Sequence, residues 1–209
     1  MIKTIIFDYG KVIGNDSSSY IYKAVSKKFR INKNKIKKEF FKFIFLIEKG
    51  KIPEIMFWKR LAKNLNIHSY EILRKVWVEE FKKRAKVNKN LLSLISKLKH
   101  HYKICLLSNN AIFYQKDSIN EILKKVFPVI IYSYNVKMRK PEKRIYMYTI
   151  RRMKSKPEEC LAIDDSKAKL ACPKKIGIET IRFKSLSMLR KDLLKKLDNQ
   201  KINKILYQI

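Results

Sequence analysis

The chain has 209 residues, 46% of them apolar, which excludes a disordered chain and supplies enough material for a real core. No uninterrupted apolar run approaches the ~18 residues of a membrane span. The three cysteines, Cys105, Cys160 and Cys172, are odd in number and have no CxxC spacing, which argues against a disulfide framework or a zinc knuckle.

The formal net charge is +32, from 50 Lys and Arg against 18 Asp and Glu. The lysines are spread along the whole chain among many Ile and Asn residues. They read as solvated helix faces, with local clusters at Lys33–Lys38 and Lys82–Lys86. Nucleic-acid binding is the other reading of such a charge. In either case anionic substrates are drawn in.

The chain opens on Lys3-Thr4-Ile5-Ile6-Phe7-Asp8-Tyr9-Gly10-Lys11-Val12-Ile13. Ile5 to Phe7 read as a buried strand, with Asp8 at its carboxyl end, the edge where open α/β sheets bind ligands. With no apolar leader before that strand, a cytoplasmic, reduced setting is expected. Turn residues Gly14 to Ser19 then lead into helical patterning.

Four helices are predicted. Tyr20, Ile21, Ala24, Val25 and Phe29 form the apolar stripe of the first. The second spans Lys33 to Lys49, with Ile36, Phe40, Phe43, Ile44 and Ile47 on one face and Gly50 as its stop. Pro53 opens the third, which carries Phe57, Trp58, Leu61 and Leu65. The fourth runs from Tyr70 to Ala85, with Ile72, Val76, Trp77 and Phe81 inward. Most aromatics at this spacing are packing residues and not a ligand box.

From residue 88 helices and strands alternate. Strands are expected at Lys103–Leu107, Val129–Tyr132, Cys160–Ile163 and Glu179–Phe183. Helices are expected at Asn90–Leu98, Ser118–Val126, Pro141–Met153, before Gly177 and from Ser185 onward. Pro173 costs ~3 kcal/mol inside a helix, so the helix before Gly177 is expected to start late, near Ala171 or Cys172. Alternation of this kind implies an α/β fold, a Rossmann-like parallel sheet covered on both faces. Residues 1–16 and 87–209 form its core domain, and 17–86 an inserted helical bundle.

Three strands therefore end in polar groups along one edge: Asp8, Ser108-Asn109 and Asp164-Asp165. Lys140 supplies a cation. A carboxylate can attack phosphorus. Clustered carboxylates repel unless a cation joins them, and Mg²⁺ suits such oxygen ligands. A hydroxyl, backbone N–H groups and an ammonium can stabilise a transferring phosphoryl group.

These residues resemble the haloacid dehalogenase superfamily, and within it the small phosphatases with a helical cap. Four stretches carry the likeness in order: Phe7-Asp8-Tyr9-Gly10-Lys11-Val12-Ile13, Cys105-Leu106-Leu107-Ser108-Asn109, Ser133 to Glu142 with Lys140-Pro141, and Leu161-Ala162-Ile163-Asp164-Asp165-Ser166. In the insert, Glu48-Lys49-Gly50-Lys51-Ile52 with Phe57-Trp58 is similar to the cap of this group. The resemblance implies a Mg²⁺-dependent phosphatase of a small phosphorylated metabolite, a sugar phosphate among the options. Asp8 is then the nucleophile, and Lys140 neutralises it and the phosphate. Ser108 binds phosphoryl oxygens with Asn109 beside it. Mg²⁺ is held by Asp8, the Gly10 carbonyl, Asp164 and the supporting Asp165, while the cap helps choose the substrate.

The chain departs from the pattern in three places. Gly10 stands where most such phosphatases carry a second Asp as general acid, leaving Asp16 or a water as substitutes. Lys169 stands where relatives have Asn, and is expected to point to solvent. Pro173 lies where relatives continue a helix. Lys11, so close to the nucleophile, could bind phosphate or crowd the site. Two other readings follow: a metal-free dehalogenase, against which Asp164-Asp165 argues, and a catalytically degenerate member that binds nucleic acid or a protein.

Overall fold

The computed structural model describes residues 1–197 and 202–203. Five strands form one parallel sheet: β1 (Thr4–Phe7), β2 (Lys103–Ser108), β3 (Val129–Tyr132), β4 (Cys160–Asp164) and β5 (Glu179–Arg182), in the order β3-β2-β1-β4-β5. The α/β, Rossmann-like class read from the alternation is the class observed. The inner strands β1, β2 and β4 are short apolar runs because both faces are covered, whereas the edge strand β5 buries only Ile181. Ile5, Phe7, Leu106, Leu161 and Ile163 pack on one side. Ile6, Cys105, Leu107, Ile131 and Ala162 pack on the other.

On the first side lie α5 (Lys89–Leu98), α6 (Asp117–Val126) and α10 (Leu186–Lys196), through residues such as Leu94, Leu123 and Leu193. On the second lie α8 (Lys143–Arg152) and α9 (Lys167–Lys175), through Ile145, Tyr146 and Leu170. A four-residue helix, α7 (Ser133–Val136), follows β3 and is invisible to periodicity. The helical tail expected from Ser185 is observed as α10 and as helical backbone at 202–203, and the rest of that expectation lies outside the described residues. All three cysteines are free. Burial pushes the Cys105 and Cys160 thiols up, Cys160 to about 12. No described helix is long and apolar enough to cross a membrane.

Between β1 and α5 stand four helices, α1 (Ser18–Phe29), α2 (Lys33–Glu48), α3 (Glu54–Leu65) and α4 (Tyr70–Arg84). Most of their aromatics are packing residues, as spacing predicts, while Tyr20, Phe41 and Phe45 are exposed. Phe40 stacks on Trp77 with ring centroids 4.8 Å apart. Phe113, from the loop after β2, enters the same cluster 4.8 Å from Trp58. One apolar core thus runs from the sheet into the helical block. On α4 the buried stripe is Leu73, Trp77 and Phe81, while Ile72 is 47% exposed and Val76 is only half-buried. A strict spacing of four turns the expected stripe by one residue, because Trp77 and Phe81 fix the face.

At Gly50 φ is +57°, and an added Cβ would sit 2.6 Å from the Tyr134 carbonyl oxygen. The α2–α3 turn therefore touches α7 backbone to backbone, which a side chain would prevent.

The late start expected for α9 is not observed. The helix begins at Lys167, capped by the Ser166 side chain, and Pro173 lies inside it. Proline removes the N–H that would reach the carbonyl four residues back, which belongs to Lys169. That carbonyl is instead satisfied by the Tyr146 hydroxyl, which donates to it at 2.5 Å. A partner from α8 thus supplies what the proline takes away. Tyr146→Phe should therefore lower stability by about 1–3 kcal/mol. Pro173→Ala, by returning an N–H to Lys169, should recover part of that loss in the double variant, as measured by urea unfolding.

Candidate active site

Strand register builds the site. Phe7 pairs with Leu106 on one side and Ile163 on the other. The next residue on β1, Asp8, is therefore level with Asp164, with Ser108 one step further along β2. The Asp8 N–H donates to the Ile163 carbonyl at 2.9 Å, extending the ladder to the sheet edge. Asp8, Asp164, Ser108 and Lys140 are all buried, at 2–3% exposure, and Asp165 is half-buried.

The Lys140 ammonium bridges the two carboxylates, 2.6 Å from Asp8 Oδ1 and 2.7 Å from Asp164 Oδ2. Asp164 Oδ1 accepts the Ser166 N–H at 3.0 Å. Asp8 Oδ2 is buried and accepts no hydrogen bond. A buried carboxylate oxygen without a donor is costly unless a ligand meets it. Asp8, Asp164 and Asp165 each bring a ligand atom, all within 4.8 Å of one another. A hard divalent cation that takes oxygen ligands fits this donor set and the orphaned oxygen.

The sequence-derived residues do come together, with adjustments. The Asn109 side chain is occupied: its amide nitrogen donates to the Lys140 carbonyl at 2.9 Å, and its oxygen accepts the Lys140 N–H at 2.8 Å. It clamps the Lys140 backbone, so the expected phosphate contact from its side chain is not available. The Ser108 hydroxyl makes only a long 3.4 Å bond to the Asn109 carbonyl and so remains open to a stronger acceptor. Gly10 is not forced by packing, since an added Cβ would meet only Asp8 Oδ2, at 3.9 Å.

Lys11 neither touches the carboxylates nor crowds them. It lies at the cavity rim, 3.1 Å from Asp16. Burial raises the Asp16 carboxyl, but the Ser18 backbone and side chain together with Lys11 outweigh it and hold it below the usual range. An Asp in that state is a poor proton donor, which weakens it as a substitute for the missing acid.

Lys169 corrects the sequence reading most. It was expected in solvent, yet its Nζ lies 3.6 Å from Asp8 Oδ2 and 3.9 Å from Asp164 Oδ1. Burial pushes its ammonium down, but Asp8, Asp164, Asp165 and Glu48 outweigh that and hold it above the usual lysine range. Its place on the first turn of α9, just past Asp164-Asp165, was the signal available in the sequence. Arg139 and Glu48 stood within the family-like stretches but were given no role. They pair at 2.8 Å between the loop before Lys140 and the end of α2. Lys49 and Glu142 form a second link at 2.8 Å.

A cavity of about 680 Å³ opens beside the carboxylates. Gly10, Ser108, Asp165 and Lys169 line its floor, and Phe41 and Phe45 of α2 line its wall.

A family model described as haloacid dehalogenase-like hydrolase matches residues 5–183. The chain belongs to that family. No significant match is found among curated proteins. Among solved structures it is similar to an HAD family enzyme of Bacteroides thetaiotaomicron in complex with magnesium and inorganic phosphate, at 23% identity, TM-score 0.71, covering 90% of this chain and 99% of that one. It is also similar to a HAD-like family hydrolase of Porphyromonas gingivalis, at 22% identity, TM-score 0.72, covering 94% and 100%. L-2-haloacid dehalogenase of Xanthobacter autotrophicus, with chloropropionic acid covalently bound, aligns at 16% identity, TM-score 0.63, covering 98% and 88%. At these identities the likeness is one of fold.

Removing the bridging ammonium strands two buried carboxylates. Lys140→Met should therefore lose about 3–5 kcal/mol of unfolding free energy in EDTA. Saturating Mg²⁺ should return part of it, since a ligand that binds only the folded state stabilises it. Urea denaturation with and without the metal checks both.

Proposed function

We propose that this haloacid dehalogenase-like hydrolase is a phosphatase of a small phosphorylated metabolite, working with Mg²⁺ and through an aspartyl-phosphate on Asp8. The observation that carries the reading is the orphaned Asp8 Oδ2, buried among three convergent carboxylates, with Lys140 compensating the opposite oxygens. Asp8, Asp164 and Asp165, with the Gly10 carbonyl, would hold the cation. When bound, it neutralises carboxylate and phosphoryl charge and orients the ester.

This chain's own residues do the rest. The Asp8 carboxylate attacks phosphorus, forming a new O–P bond as the bond to the ester oxygen breaks. Lys140 offsets charge on Asp8 and on the phosphoryl oxygens. The Ser108 hydroxyl donates to one of those oxygens. Asn109 acts indirectly, by holding the Lys140 backbone. The leaving oxygen takes its proton from water, because position 10 is glycine. That favours esters whose leaving groups are already stable anions. Water then attacks the phosphorus of the aspartyl-phosphate, releasing inorganic phosphate and restoring Asp8.

The helices α1–α4 act as the cap. Tyr22, Phe40 and Phe45 belong to the cavity wall that the non-phosphate part of the ester would meet. The Glu48–Arg139 and Lys49–Glu142 pairs hold α2 against the loop that carries Lys140. Three close carboxylates serve a cation and a phosphoryl group better than they serve displacement at carbon, where extra negative charge near the nucleophile has no counterpart.

The test is hydrolysis of p-nitrophenyl phosphate with Mg²⁺ and with EDTA. Turnover should require the metal and fall by about 10³-fold or more in Asp8→Asn. Full activity in that variant would overturn the mechanism. Chloride release from 2-chloropropionate in EDTA would favour the dehalogenase instead.

A further inference from the structure

Lys169 is the site residue whose chemistry the foregoing reading does not use. Lys140 binds Oδ1 of Asp8 and Oδ2 of Asp164. Lys169 faces the two oxygens that Lys140 leaves, Oδ2 of Asp8 and Oδ1 of Asp164, at 3.6 and 3.9 Å. Two ammonium groups therefore straddle one pair of carboxylates. Lys140 is within hydrogen-bond distance, whereas Lys169 is close enough for a Coulombic pair but too far for a hydrogen bond. Asp8 Oδ2 keeps its free lone pairs.

Lys169 is also fixed in place by its own backbone. Its N–H donates to the Ser166 cap at 3.4 Å, and its carbonyl accepts the Tyr146 hydroxyl at 2.5 Å. Its side chain is 29% exposed, against 3% for Lys140, so it lies at the mouth of the carboxylate cradle and not beneath it. It is on the cavity lining.

We propose that Lys169 is a tethered cation that shares the Asp8 and Asp164 oxygens with the divalent cation, weakening metal binding while strengthening phosphoryl binding. The inference rests on the metal-dependent reading above. Charge supplies the sign of both effects. Three carboxylates and two ammonium groups leave one excess negative charge in the site. A divalent cation turns that to one excess positive charge, which a phosphoryl dianion then welcomes. Without Lys169 the empty cradle would carry two excess negative charges. It would draw the metal harder, and the loaded site would be neutral toward the dianion. A merely structural lysine would move neither affinity in this opposed way.

The experiment is calorimetric titration of Mg²⁺, without substrate, into wild type, Lys169→Met and Lys169→Arg, each checked for folding by circular dichroism. The Met variant should bind Mg²⁺ at least about ten-fold more tightly, as expected for loss of a unit charge within about 4 Å. The Arg variant, which keeps the charge, should stay near wild type. Inorganic phosphate titrated into the Mg²⁺-saturated proteins should bind the Met variant about ten-fold more weakly. Equal Mg²⁺ affinity in wild type and the Met variant overturns the proposal. So does an Arg variant that binds as tightly as the Met variant. If no form binds Mg²⁺, the metal reading fails and this inference fails with it. No hydrolysis of p-nitrophenyl phosphate by the wild type, with Mg²⁺ binding shifting as stated, would leave the inference standing and count against the phosphatase reading alone.

Discussion

The site depends on one buried ion triad, Asp8–Lys140–Asp164. Two carboxylates brought level by parallel strand pairing repel one another, and burial makes that costly unless a cation sits between them. The fold meets that demand with a lysine from a loop far away in sequence. It fixes the lysine from behind, through the Asn109 amide on its backbone. The triad explains why the Asn109 amide is spent on the Lys140 backbone. It also explains why one oxygen of Asp8 is left for a ligand: Lys140 covers Oδ1 of Asp8, and Oδ2 accepts no hydrogen bond.

The helical block is not a free lid in this conformation. Its core is continuous with one face of the sheet, through Phe113 among the tryptophans. Its α2 end is tied to the loop around Lys140 by two ion pairs and by the close approach at Gly50. Burial raises the Glu48 carboxyl, opposed by Arg139. The residues that position Lys140 and those that wall the cavity are therefore mechanically linked. A change in how α2 sits would be felt at Lys140.

The α9 helix illustrates how tertiary contacts override a local penalty. Pro173 removes one helix hydrogen bond, and the carbonyl it abandons is that of Lys169. Tyr146 from α8 restores the bond. The helix can then start early enough to bring Lys169 back toward the carboxylates instead of leaving it in a loop. Propensity alone pointed the other way, because it counts the lost N–H but not a hydroxyl arriving from another element.

The sequence by itself determined the α/β class, the strand ends and the carboxylates. These follow from short apolar runs and from the polar residues that stop them, which are local properties of the chain. It also carried the family resemblance, which the family match bears out. The tertiary structure alone decided which oxygen each ammonium meets, that Asn109 clamps the backbone, that Leu73 and not Ile72 faces inward on α4, and that Lys169 enters the site. Each of these turns on a side chain's direction, or on a partner from a distant element. Periodicity places a residue on a face, but a distance of a few ångströms is fixed only when strands pair in register and helices pack upon them.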